Sequence, residues 1–179
     1  MTEPLMDNAK KCLDMLHKLL GVWFVLIVAS AYLPPSARIK LPFTDITAPG
    51  DSVRWACLFA IFFIGLIAHA IVSMLVRLCI TIEKTEEIEA AFTYPSVATL
   101  GSPPARAMFG IGLAFVQHMV AATVLPQWKF WGGDIWLGVA FAFSTPMIFF
   151  GSKLASWQHT VIKGIEEKAS KENPLPDSA

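Results

Sequence analysis

The side chains able to do chemistry in this sequence are few, and they stand in apolar surroundings. His69 lies between Leu66-Ile67-Ala68 and Ala70-Ile71-Val72. Gln117 and His118 sit together after Phe115-Val116 and before Met119-Val120. Ser144 and Thr145 come directly before Pro146. An imidazole can move a proton or bind a metal. Hydroxyls and amides can line a water path. Polar groups of this kind are costly in hydrocarbon, so they are the first functional candidates. At about 1.5 Å per helical residue, His69 falls roughly 20 Å from one membrane face and His118 roughly 10 Å from the same face. That separation excludes one metal ion held by both. It leaves a staircase from His118 through Thr145 to His69. The plainer expectation is that each polar side chain hydrogen-bonds a neighbouring helix.

Other constellations are weaker. Asp14, His17 and Lys18 share a helix face by their spacing, which predicts an interfacial salt bridge. The cysteines, Cys12, Cys57 and Cys79, are odd in number and scattered, unlike a disulfide scaffold or metal cluster. The chain has no phosphate-binding glycine loop with its lysine, no dinucleotide fingerprint and no His-Glu-x-x-His. It also lacks a Gly-x-Ser-x-Gly elbow. A non-enzymatic protein with no cofactor and no metal is expected.

The elements that position these residues follow from composition. Of 179 residues, 55% are hydrophobic and only 16% are charged, too few charges for a soluble surface of this size. The net charge is zero, so no basic field is available for nucleic acid. The apolar residues form four blocks, over about 13–33, 55–76, 107–125 and 135–157. In lipid, backbone amides must pair internally, so such blocks read as helices. The expected fold is all-α: a four-transmembrane-helix bundle forming one domain over 1–172, with a disordered tail over 173–179. The bilayer is the first partner.

Basic residues set the expected orientation. Ten of the 14 lysines and arginines lie in the two termini and the middle loop, which puts both termini in the cytoplasm. Tyr32, Trp55, Trp128, Trp131 and Trp136 fall at the opposite helix ends and Trp157 at the cytoplasmic end of the fourth block, an interfacial belt. Trp23 lies outside that belt and is expected inside the bundle. Ala29-Ser30-Ala31 looks like a leader-cleavage site, but Glu3, Asp7, Asp14 and the long polar lead-in favour a retained first helix.

The connecting segments carry the remaining candidates. The outer loop over 34–52 holds four prolines, which exclude a regular helix. Ile39, Leu41, Phe43 and Ile46 are expected to pack on the outer mouth, and Asp51 or Ser52 to cap the next helix. Phe43 and Asp45 are candidate partner contacts. The inner segment over 82–91 is rich in helix formers, so the second helix is expected to continue as an acidic arm bearing Glu83, Glu86, Glu87 and Glu89. Pro95 stops it. The fourth helix is expected to extend to about Lys168 on the stripe of Val161, Ile162 and Ile165. Gly110 with Ala114, and Gly138 with Ala142, are expected helix contacts.

In span number, size and orientation the chain resembles small bacterial inner-membrane proteins such as bacteriocin-immunity and phage-exclusion proteins. The resemblance implies a membrane subunit that binds another protein. The alternative expectation is a small homo-oligomeric channel or permeabilising effector, with His69, Gln117, His118, Ser144 and Thr145 lining its path.

Overall fold

The structure, a computed structural model, describes residues 3–40, 45–82, 85–125, 129–130 and 133–172. Phe43 and Glu83, among the candidate residues, lie outside that set, as does the tail over 173–179. Four helices are long and apolar enough to cross a membrane, and the chain is a helical membrane-embedded protein.

The first helix, α1, spans Glu3–Tyr32 and begins ten residues before the first apolar block. Its polar lead-in is helical because it carries a core stripe. Met6, Ala9, Leu13, Leu16, Leu20, Trp23 and Ile27 recur every three or four residues, and all are buried. Ala29-Ser30-Ala31 lies in its last turns, with Ser30 buried.

The connector after α1 folds as a β-hairpin. Strand β1 (Arg38–Lys40) pairs antiparallel with β2 (Thr47–Pro49), Ile39 opposite Ala48. Ile39 is half-buried, whereas Ile46 is 63% exposed and does not pack on the helices as expected. The hairpin runs directly into α2 (Gly50–Thr81). The residue before α2 is Pro49, and no side chain caps the helix, contrary to the expected Asp51 or Ser52 cap. The first amides are satisfied by the hairpin instead: Gly50 N–H donates to Ala37 O at 2.6 Å and Asp51 N–H to Pro35 O at 3.2 Å.

The expected acidic extension of α2 is broken. Ile82 turns to extended backbone (φ −73°, ψ 126°) and a separate helix, α3, covers Thr85–Thr93. Two buried residues explain this. Ile88 and Ala91 sit in the core, which draws α3 back onto the helix ends. Phe92 meets Trp157 edge-on, with centroids 5.1 Å apart. The irregular stretch that follows reverses at Gly101, whose φ of +66° suits glycine.

Helix α4 spans Pro103–Val124, opening on two prolines where missing amides cost little. A second short hairpin, β3 (Lys129–Phe130) with β4 (Gly133–Asp134), leads to α5 (Ile135–Glu172). Helix α5 has 38 residues and runs through Pro146 to Glu172, beyond the expected end near Lys168; of its expected stripe Val161 is buried and Ile165 half-buried, but Ile162 is 46% exposed.

Two crossings rest on missing side chains. Gly110 of α4 and Gly151 of α5 meet backbone to backbone, and a Cβ on either would collide with the other. Gly65 of α2 receives Pro146, whose Cβ would lie 2.9 Å from an added Cβ. The expected Gly110–Ala114 contact face is present, and both residues are buried. The Gly138–Ala142 face is not a contact: Gly138 has nothing within 4 Å and Ala142 is exposed. Helix α1 packs on α2, and α2 packs on α5. Two ends result. One gathers the end of α1, the start of α2 and the end of α4 (the hairpin end). The other gathers both chain termini, α3 and the loop before α4 (the terminal end).

Candidate functional site

The polar residues inside the helices divide into those that are spent and those that are not. Gln117 is fully buried and bridges three helices. Its Oε1 accepts from Trp23 Nε1 at 3.1 Å, and its Nε2 donates to Phe143 O at 2.7 Å. Phe143 lies three residues before Pro146, beside Ala142, whose carbonyl is the one the proline leaves without its ladder donor. Ser144 and Thr145 bond back along their own helix, to Ala140 O at 3.0 Å and Phe141 O at 3.1 Å. This back-bonding satisfies a hydroxyl in apolar surroundings without a partner helix.

The two histidines are different. His69 stands edge-on to Phe149, ring centroids 6.3 Å apart, and its Nδ1 is buried without a hydrogen bond. His118 also has a buried, unpaired Nδ1. Among the described residues no hydrogen bond links His69, Thr145 and His118 in series. His118 and Ser144 do come together, in the lining of a lateral groove between α4 and α5.

The groove has a volume of about 480 Å³. Ala107, Ile111 and Phe115 form its α4 wall, and Phe141, Ile148 and Gly151 its α5 wall. A second crevice, between α2 and α5 near the hairpin end, is aromatic: Phe59, Phe62, Phe63 and Phe143 line it, with Gly138 and Ala142 on its α5 side.

Two buried arginines tie the helix ends. Arg54, at the start of α2, donates from Nε to Ser30 O and from Nη2 to Thr123 O, each at 3.1 Å. Those carbonyls belong to the last turns of α1 and α4, where helix dipoles present negative charge. Arg106, at the start of α4, donates to Gly101 O at 3.1 Å and Gln158 Oε1 at 2.9 Å. Sequence reasoning used both only as topology markers. Their clue was position, a cation at the margin of an apolar block.

The terminal end is stitched by polar contacts as well. Trp157 is fully buried and donates to Ala98 O at 2.7 Å, so it belongs to the core and not to an interfacial belt. Asp14 accepts from Tyr94 Oη at 2.8 Å, across from α1 to the loop after α3. This cross-helix bond replaces the expected pairing of Asp14 along its own helix. The Asp14 hydrogen bond holds the Tyr94 phenol above its ordinary range. Among the candidate partner contacts, Asp45 is exposed and pairs with Lys40 at 2.9 Å. Glu86 and Glu89 are exposed on α3, and Glu87 is half-buried.

Among the described residues, no group of three or more His, Cys, Asp or Glu side chains is placed to hold a metal ion. Compared with known proteins, the chain matches no family model, no curated protein and no solved structure.

Proposed function

We propose that this chain is a non-catalytic, multi-pass protein of the inner (plasma) membrane that acts by binding another protein, as a membrane subunit of an immunity, defence or assembly type. Both termini are then cytoplasmic, on the count of lysines and arginines. The observation that carries the reading is the outer hairpin. It is seated on the first amides of α2, and it presents Arg38, Lys40 and Asp45 to solvent. An ordered, exposed connector with mixed charge is suited to recognition, since loops held by a rigid scaffold commonly carry binding residues. On the other side, Glu86 and Glu89 give α3 an acidic outer face while Ile88 and Ala91 fix it in place. The intramembrane set supports the alternative channel reading less well, because Gln117, Ser144 and Thr145 are engaged with backbone or tryptophan.

The test is capture of the tagged full-length protein in mild detergent, with the mass of the complex measured. Wild type is expected to bring down a heteromeric complex. Reversing Arg38 and Lys40 to Glu, or Glu86 and Glu89 to Lys, is expected to lose the partner without loss of folded protein. A pure homo-oligomer, whose ion flux in liposomes falls in His69→Leu and His118→Leu, would replace this reading with the channel.

A further inference from the structure

The groove between α4 and α5 has a feature that lipid alone does not answer. His118 lines it, and neither ring nitrogen of His118 has a hydrogen-bond partner among the described residues. Nδ1 is enclosed, and Nε2 is not. The depth matters. His118 lies 15 residues into α4 and six before its last residue, roughly 9 Å from the nearer helix end, within an apolar span. A polar group left unpaired at that depth costs several kcal/mol.

The walls around His118 are graded. Phe115 and Phe141 flank the histidine end and are 62% and 58% exposed. From there to Ala107 the lining is mostly small or aliphatic, through Ala114, Ile111, Ile148 and Gly151, with the hydroxyls of Ser144 and Ser152 as its further polar groups. That stretch covers 11 residues of α4, roughly 16 Å. The volume, about 480 Å³, is within the usual range for small-molecule sites. One end therefore offers aromatic rings and an imidazole, and the other a mostly apolar track that ends at Ser152.

We propose that this groove binds a lipid-soluble molecule made of a flat, carbonyl-bearing ring on a hydrocarbon tail, the chemistry of a membrane quinone. The ring lies between Phe115 and Phe141 and its carbonyl accepts a hydrogen bond from His118 Nε2–H. The tail follows Ala114, Ile111 and Gly151 toward the terminal end. The site is independent of the partner-binding reading, since it uses neither the hairpin nor α3.

The experiment uses the full-length protein in phosphatidylcholine nanodiscs and a decyl-substituted benzoquinone as the probe. The readouts are tryptophan fluorescence quenching, with Trp23 bonded to the neighbour of His118, and the melting temperature. Wild type is expected to show saturable quenching above linear partitioning, and a raised melting temperature. His118→Leu should weaken binding about tenfold, the loss of one hydrogen bond. His118→Gln keeps an N–H and should retain most of the affinity. Ile111→Trp, on an exposed position of α4, fills the track without touching His118 and should abolish saturation. Quenching that rises only linearly, the same in wild type and His118→Leu, overturns the proposal. So does equal competition by decane, which would make this a plain acyl-chain groove. Disulfide dimers through a Phe115→Cys variant that the probe leaves undiminished would assign the groove to a second copy of the chain and overturn it too.

Discussion

Gln117 is the residue whose loss reaches furthest, because one amide serves three helices. Replacing it with leucine leaves Trp23 Nε1 without its acceptor and Phe143 O without its extra donor. The expected cost is about 1–3 kcal/mol, measured by unfolding in mixed micelles. At the terminal end, the bond between Tyr94 and Asp14 supplies a pH dependence. The phenol is raised by that bond, so its contribution is full below the ordinary tyrosine range, about pH 10, and is lost as pH climbs through the raised value. The chain has two tyrosines, so a Tyr32→Phe background isolates Tyr94. Its phenolate absorbance should then appear at higher pH than in the same protein carrying Asp14→Asn.

At the scale of elements, the glycine crossing decides how α4 and α5 sit. Gly110→Val or Gly151→Val must push the helices apart and should destabilise by about 1–3 kcal/mol or more. Gly112→Val, two residues away with nothing within 4 Å, should be close to neutral in the same thermal unfolding assay. Much of this level was readable from residue order alone. Hydropathy located the four long helices, and Val161 and Ile165, though not the exposed Ile162, marked the continuation of α5 beyond its apolar block. Three things were not readable. The break at Ile82 depends on Ile88 and Ala91 finding a core, which local helix propensity does not register. Gly138–Ala142 and Gly110–Ala114 have the same local pattern, and only the crossing with Gly151 separates contact from open face. Trp157 has the position of a belt residue, and its burial depends on a loop 59 residues away in sequence. In the candidate set, the sequence identified the polar residues but not their partners, since hydrogen bonds such as Trp23–Gln117 span 94 residues.

At the scale of the molecule, arginines without carboxylate partners hold both ends. Arg54 gathers α1, α2 and α4 through carbonyls, and a planar guanidinium suits that task where an ammonium does not. Arg54→Lys should therefore lose about as much stability as Arg54→Met, on the order of 1–3 kcal/mol in the same unfolding measurement. The clamp also has a bearing on biogenesis. When α2 leaves the ribosome, Ser30 O on α1 already exists, but Thr123 O on α4 does not. The guanidinium waits with half its acceptors until the third long helix is threaded into the bilayer. A nascent chain arrested before α4 should therefore be cut by quality-control proteases more readily than the full-length protein.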